Sequence, residues 1–224
     1  MSRARRLAEA DALAAARSRG EIGDDEWFAG MSAIFETAYL EGDNPRAQSG
    51  FGGDEERWEA GRRPIAEAVD APGRFLDVGC ASGYLLECIV RWAPHPIEPY
   101  GLDLAPAVAE LARRRLPHWA DRIFVGNALT WEPPFRFDFV RTELMYVPEE
   151  RRPELVERLL AAVVAPGGRL ILCGYGSPRS KFRADPVGQH LRAFGFEPEL
   201  ERSVEAPEGG GPLLELAVVR AGAP

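Results

Sequence analysis

The sequence has few of the residues that mark metal-binding or disulfide-linked proteins. Its three cysteines, at positions 80, 88 and 173, are scattered and form no C-x-x-C pair. That number and spacing argue against a disulfide framework and against a structural zinc site. The three histidines are distant from one another and lack local acidic partners, so we predict no metal site.

Long apolar runs and an excess of positive charge are also missing. No stretch approaches the roughly 20 apolar residues of a membrane helix, and Glu9 and Asp11 interrupt the apolar stretch near the start. We therefore expect neither a secretory signal nor a membrane partner. The formal net charge of −8 argues against a mainly electrostatic nucleic-acid binder. The expected setting is reduced and cytoplasmic.

The first 70 residues predict an N-terminal helical cap. Residues 2–19 are rich in alanine and arginine, which suits a helix. A second helix is predicted from Asp24, because its apolar residues recur at helical spacing on one face; they are Trp27, Met31, Ile34, Phe35, Ala38 and Tyr39. Residues 42–58 have the composition of a loop, for which a lid and a disordered segment are both open interpretations.

Strands and helices alternate from residue 74 onward. Such alternation predicts an α/β fold with a doubly wound, mostly parallel sheet and helices on both faces. Seven strands are predicted, and the last two, "FEPELERSVEA" and "GPLLELAVVRA", can pair as an antiparallel edge. We expect residues 71–224 to form this Rossmann-like domain, with residues 1–70 as the cap and its lid-like loop.

The segment "FLDVGCASGYL", residues 75–85, joins the first predicted strand to a helix through small residues. In a doubly wound sheet, ligands bind beyond the carboxyl ends of the strands. Asp103 ends the next strand, 24 residues after Gly79, where a carboxylate can accept both hydroxyls of a ribose. These features suit NAD and S-adenosylmethionine equally.

The sequence of the loop distinguishes between NAD and S-adenosylmethionine. A dinucleotide fingerprint requires a third glycine for close helix packing, and Tyr84 stands at that position. The pattern found is D-x-G-x-A-x-G, from Asp77 through Gly79 and Ala81 to Gly83. An acid before the first glycine is unfavourable beside a pyrophosphate but favourable beside an ammonium and a sulfonium.

These motifs resemble those of the class I S-adenosylmethionine-dependent methyltransferases, and the resemblance covers residues 74–220. "LDVGCASG" is similar to the first motif of that family, and Asp103 to its acid on the second strand. Asn127 in "VGNALTW" stands where the family usually has an acid, and Ala81 stands where it has a glycine. The segments "FDFVRTELMYV" and "LLAAVVAPGGRLIL" resemble its fourth strand and its fifth helix-strand unit.

The resemblance implies S-adenosylmethionine as the cofactor and a role for each matching residue. Asp77 would orient the loop and help to hold the amino-acid end of the cofactor. The other implied cofactor contacts are Gly79, Cys80, Ala81 and Gly83 through their backbone, Asp103 to the ribose, Leu104, Asn127 and Ala128 around the adenine, and Thr142 near the methionine portion.

The candidate catalytic residues are Glu143 and Tyr146. Glu143, at the end of the fourth predicted strand, is a candidate general base, and a salt bridge with Arg141 is the alternative. Tyr146 is a candidate for orienting a substrate, with simple packing as the alternative. Core packing is likewise the alternative for the aromatic residues predicted to line a substrate pocket, which are Tyr39, Phe51, Trp58 and Tyr175.

The expected function is methyl transfer from S-adenosylmethionine to a small molecule, without a nucleic-acid or membrane partner. The acidic charge and a short cap that can cover a pocket favour this class. Methylation of a protein or an RNA is one alternative, and it predicts an open site with a basic face. A non-catalytic regulatory protein that binds the cofactor is the other, since binding alone does not establish turnover.

Overall fold

A seven-stranded sheet forms the centre of the protein. The computed structural model describes residues 3–177 and 183–222. Residues 1–2 of the predicted cap, and residues 178–182 and 223–224 of the predicted Rossmann-like domain, lie outside it. The strand order is β3-β2-β1-β4-β5-β7-β6. The bounds are β1 Gly73–Val78, β2 Ile97–Asp103, β3 Ile123–Val125, β4 Phe137–Thr142, β5 Val164–Tyr175, β6 Leu200–Glu205 and β7 Pro212–Arg220.

The pairing within the sheet confirms the predicted α/β class. The first five strands pair in parallel, with β1 between β2 and β4. Strand β7 pairs antiparallel with β5 on one side and with β6 on the other. The predicted antiparallel edge is therefore present, with β7 inserted between β5 and the edge strand β6.

Helices cover both faces of the sheet. Their bounds are α1 Arg3–Ser18, α2 Asp24–Leu40, α3 Glu55–Ala60, α4 Arg63–Glu67, α5 Tyr84–Trp92, α6 Pro106–Arg115, α7 Arg152–Arg158 and α8 Val187–Ala193. None of the helices in the described ranges is both long and apolar enough to span a membrane.

Two hydrophobic cores lie on opposite faces of the sheet, because neighbouring residues of a strand point to opposite sides. Leu76 of β1 belongs to the core that includes α2, α7 and α8. Phe75, the preceding residue, belongs to the core beneath α4 and α5. The apolar face of α2 is buried as its spacing predicts, and this places the helix over the carboxyl edge of the sheet, where Trp27, Phe28, Met31 and Ile34 are buried.

The segment predicted as a loop, residues 42–58, is more regular than its composition indicates. It contains a 3₁₀ turn at Ala47–Ser49 and the start of α3, so the loop prediction is wrong at its end. Asp54 begins that helix by accepting the N–H of Arg57 (2.9 Å), a normal N-cap. The segment packs on the loop after β1, where the Ser82 hydroxyl donates to the Pro45 carbonyl (3.0 Å). The division of the chain at residue 70 stays a prediction.

Candidate active site

The loop between β1 and α5 turns through three residues with positive φ angles. These are Gly79 (78°), Ala81 (48°) and Gly83 (73°), and Ala81 is the non-glycine residue with a positive φ within the described ranges. A positive φ is strained for a residue with a Cβ, so the surroundings must hold Ala81. The N–H groups of Gly79 and Cys80 both donate to the Leu102 carbonyl (2.7 and 3.1 Å), which fixes the loop against β2.

Asp103 completes the support of this loop. Its Oδ2 accepts the N–H of Ala81 and its Oδ1 accepts the N–H of Ala105, both at 2.9 Å. Burial raises the pKa of Asp103 to about 6, although the backbone hydrogen bonds act against that rise. A carboxylate has about four acceptor positions, and the backbone N–H groups of Ala81, Ala105 and Leu104 do not use all of them. The Asp103 side chain lines a cavity, which makes the unused positions accessible.

A small cavity of about 70 Å³ brings together the residues predicted to hold adenosine. Its wall on the sheet side is formed by Asp103, Leu104, Asn127 and Ala128, and α2 closes the other side. The side-chain oxygen of Asn127 also accepts the N–H of Leu129 (3.0 Å). One of its acceptor positions is thus used within its own turn.

A larger cavity of about 880 Å³ continues from the small one. Gly79, Met145 and Tyr146 line both, so the two spaces meet at the loop after β1. The structure also brings the predicted substrate residues together here, since the lining includes Tyr39, Phe51, Trp58 and Tyr175. Trp58 is only 2% exposed, so most of its ring belongs to the core.

A buried group of charges lies in the floor of the larger cavity. The Arg141 guanidinium donates through Nη1 to Asp77 (3.1 Å) and through Nη2 to Glu143 (2.5 Å). It also donates to the Tyr175 hydroxyl (3.1 Å). The Tyr146 hydroxyl donates to the same Glu143 oxygen, Oε1 (2.6 Å). The salt bridge between Glu143 and Arg141, the alternative to a catalytic role for Glu143, is therefore formed. Glu143 nevertheless lines the cavity.

The protonation of this group follows from its burial. Burial raises the pKa of the Asp77 carboxyl, and the Arg141 guanidinium opposes the rise. Burial and the neighbouring Glu143 carboxylate raise the pKa of Tyr146. The Tyr146 phenol therefore stays protonated at neutral pH and acts as a hydrogen-bond donor.

Two residues predicted to contact the cofactor lie outside both cavities. Thr142 is fully buried, and its hydroxyl has no hydrogen-bond partner among the described residues. Gly83 packs against α6, where an added Cβ would lie 2.5 Å from Leu116 Cδ1. At Gly79 an added Cβ would collide with the Tyr146 ring. The structure thus places Gly79 at the site and gives Gly83 a packing role.

Sequence reasoning missed Arg62 of the larger cavity, and it named Arg141 only as a salt-bridge partner of Glu143, not as the centre of a buried group. One signal for Arg141 was available, because a charged residue within the apolar strand "FDFVRT" must find buried partners. Arg62 follows a short helix in a region predicted to be a cap, and its sequence surroundings carry no comparable signal.

Comparison with known proteins finds a matching family model and several relatives. Residues 75–168 match the family model described as a methyltransferase domain. A trans-aconitate 2-methyltransferase from Methylobacterium radiotolerans is 35% identical over 115 residues, which are 48% of this chain and 42% of that protein. A ubiquinone biosynthesis O-methyltransferase from Xanthomonas campestris is 31% identical over 131 residues, 55% of this chain and 52% of that protein. The chain thus spans about half the length of these curated relatives.

Solved structures show the same fold at lower identity. The crystal structure of Burkholderia thailandensis 1,6-didemethyltoxoflavin-N1-methyltransferase, with bound 1,6-didemethyltoxoflavin and S-adenosylhomocysteine, is 20% identical with a TM-score of 0.63. The likeness covers 90% of this chain and 91% of that one. At 20% identity the match shows a shared fold and no more.

The described residues also fit the cofactor expected from the sequence. Asp103 presents unused acceptor positions to one cavity, and Asp77 and Glu143 bring negative charge to the adjoining one. The family match confirms S-adenosylmethionine as the cofactor. The loop motif, the sheet order and the match over residues 75–168 support a class I S-adenosylmethionine-dependent methyltransferase.

Proposed function

We propose that the protein transfers the methyl group of S-adenosylmethionine to a small-molecule acceptor. The observation that carries this proposal is that the two cavities adjoin, with Gly79, Met145 and Tyr146 in the walls of both. The residues that line the small cavity suit the polar groups of adenosine, and the larger cavity has room for the methionine portion and an acceptor. A methyl donor and an acceptor can therefore meet at the loop after β1.

The residues of the loop and of the buried charge group have complementary roles in this proposal. Asp103 accepts from the ribose hydroxyls, Leu104 packs against the adenine, and Asn127 and Ala128 frame its edge. Asp77 and Glu143 share the single guanidinium of Arg141. The ionised acids of this group favour a cationic part of the ligand beside the loop after β1.

Methyl transfer requires alignment more than acid-base chemistry. S-adenosylmethionine supplies a methyl carbon on a positively charged sulfur, and its C–S bond breaks as the acceptor's lone pair forms the new bond. Holding the partners in line supplies on the order of 7–11 kcal/mol of barrier reduction. The walls that Tyr39 and Tyr146 contribute to both cavities limit the orientations of an acceptor.

Glu143 is the proposed base for an acceptor that loses a proton. Both of its hydrogen bonds, from Arg141 and Tyr146, go to Oε1. No donor among the described residues reaches Oε2, and the residue is 12% exposed at the cavity. Oε2 is therefore available to take the acceptor's proton, while Tyr146 and Arg141 fix the orientation of the carboxylate.

A small acceptor is favoured over a protein or an RNA by the cover over the site. Helix α2 and residues 47–53 contribute to the cavity walls. The net charge of −8 disfavours an RNA partner. The relatives named for trans-aconitate and for ubiquinone biosynthesis support the same class.

A label-transfer experiment tests the proposed function. Extract of the cells that make the protein is split by ultrafiltration into small molecules and macromolecules, and each fraction is incubated with protein and S-adenosyl-[methyl-³H]methionine. We expect label in the small-molecule fraction only, because the acceptor must enter the covered cavity. Label in macromolecules contradicts the small-molecule proposal. Label in neither fraction, in a protein that binds the cofactor, contradicts catalysis and favours the regulatory alternative.

The role of Asp103 predicts a pH-dependent affinity. Its pKa of about 6 means that the carboxyl becomes protonated below that pH, which removes acceptor positions for the ribose. The wild-type protein should therefore bind S-adenosylhomocysteine more weakly as the pH falls from 7.5 to 5. The affinity of Asp103→Asn should not show the part of this fall that comes from protonation of Asp103. Calorimetric titration of both proteins measures the ratio of their affinities. A ratio that stays constant across this range contradicts the assignment.

The role of Glu143 predicts a loss of turnover without a loss of cofactor binding. Glu143→Gln keeps a hydrogen-bond acceptor for Arg141 but cannot take a proton, so kcat should fall about 100-fold or more. Glu149→Gln, the same change at an exposed position of the same segment, is the matched control. Initial rates of label transfer and calorimetry with S-adenosylhomocysteine separate the two effects. Wild-type turnover in Glu143→Gln would leave this residue with only a structural role.

A further inference from the structure

Arg62 lies in an aromatic surround at one end of the larger cavity. Its guanidinium carbon is 4.6 Å from the ring centre of Phe51, 4.4 Å from that of Trp58 and 4.1 Å from that of Tyr175. All four residues line the cavity. Three of the four aromatic residues predicted to contact a substrate therefore hold an arginine, which itself faces the space for the substrate.

Although Glu143 is near enough to raise its pKa, this arginine forms no salt bridge in the part of the chain that the structure describes. The other arginines of the cavity do, since Arg141 pairs with Asp77 and Glu143, Arg57 with Glu208, and Arg6 with Glu41. Burial lowers the pKa of Arg62, which shows that its charge is poorly solvated. A partly desolvated cation without a counter-ion is unfavourable, and an anionic ligand would relieve that cost.

The N–H groups of Arg62 indicate which kind of anion binds there. Three ring centres lie 4.1–4.6 Å from the guanidinium carbon of Arg62, and the N–H groups of a guanidinium lie in its plane at the edge. No acceptor for the side-chain N–H groups of Arg62 occurs in residues 3–177 or 183–222. A carboxylate matches such an edge with two parallel hydrogen bonds.

We propose that Arg62 binds a carboxylate of the methyl acceptor, so that the substrate is a small carboxylic acid. The inference rests on the proposed function and specifies its substrate class. Arg62 is then the specificity-determining residue of the acceptor site, and Phe51, Trp58 and Tyr175 hold its guanidinium in place.

The aromatic surround of Arg62 reaches two strand ends, since Tyr175 belongs to β5 and Trp58 lies 5.1 Å, between ring centres, from Tyr84, which follows the loop after β1. Arg62 packs on Tyr175 at the end of β5, and Tyr175 contacts Arg141 of β4, which in turn contacts Asp77 of β1. Two strand spacings, roughly 10 Å in total, therefore lie between the end of β1 and that of β5. The loop after β1 is bonded to β2, on the side away from β5. The contact with β5 favours the acceptor over the cofactor as the ligand of Arg62, and the S-adenosylhomocysteine affinity of Arg62→Met tests this choice.

The test compares carboxylates with neutral analogues of the same shape. Wild-type protein saturated with S-adenosylhomocysteine is titrated with benzoate and benzamide, and with succinate and succinamide. We expect at least one carboxylate to bind in the millimolar range and its amide not to bind. Arg62→Met should weaken carboxylate binding about 10- to 100-fold, and Arg62→Lys should weaken it less.

Arg63→Met is the matched control, because the neighbouring arginine is 54% exposed and pairs with Glu59 outside the cavity. It should bind the carboxylates as wild type does. The comparison of acid with amide in the wild-type protein needs no variant, so it stands even where Arg62→Met folds poorly.

Three results would overturn the inference. They are a lack of carboxylate binding to the saturated wild-type protein, equal carboxylate binding by Arg62→Met, and a loss of S-adenosylhomocysteine affinity in Arg62→Met, which would place Arg62 on the cofactor. A wild-type protein that does not bind S-adenosylhomocysteine at all overturns the proposed function instead. The two failures are therefore distinguishable.

Discussion

The buried guanidinium of Arg141 is the interaction on which the arrangement of the site depends. It is 3% exposed and connects three neighbouring strands, since it bonds to Asp77 of β1 and Tyr175 of β5 from its own place on β4. Removing one partner of a buried ion pair leaves an uncompensated charge and costs about 3–5 kcal/mol. Asp77 and Glu143, which both accept from Arg141, therefore fix the floor of the cavity.

The positive φ of Ala81 is the second constraint. A residue with a Cβ is strained in that conformation, and Asp103 accepts the N–H of the same residue. One carboxylate thus supports the loop and presents its remaining acceptor positions to the small cavity. The element that shapes the loop is also the one proposed to bind the ribose, so changes at Asp103 act on both.

The fold could be predicted from the sequence because it depends on local patterns. Alternating apolar strands and amphipathic helices specify a doubly wound sheet, and the acid and the small residues of "LDVGCASG" specify the loop. The wall of the small cavity could be predicted equally well, since Asp103 ends β2 and Asn127 follows β3, and the carboxyl ends of these strands meet at the same edge of the sheet.

The larger cavity could not be predicted in the same way, because its contacts join residues far apart in the chain. Arg62 meets Tyr175 across the fold, and no local pattern indicates that pairing. Thr142 shows the opposite error, since its place beside the site suggested a contact that its full burial does not allow. Alternation along β4 gives Thr142 and Arg141 different surroundings.

The central claim is that the joined cavities hold S-adenosylmethionine through Asp103. Calorimetric titration with S-adenosylhomocysteine and with NAD tests it most directly, in wild type, in Asp103→Ala and in Asp121→Ala, an exposed aspartate outside both cavities. The account predicts that wild type and Asp121→Ala bind S-adenosylhomocysteine and not NAD, and that Asp103→Ala loses this affinity. Binding of NAD alone, or an S-adenosylhomocysteine affinity unchanged in Asp103→Ala, would contradict it.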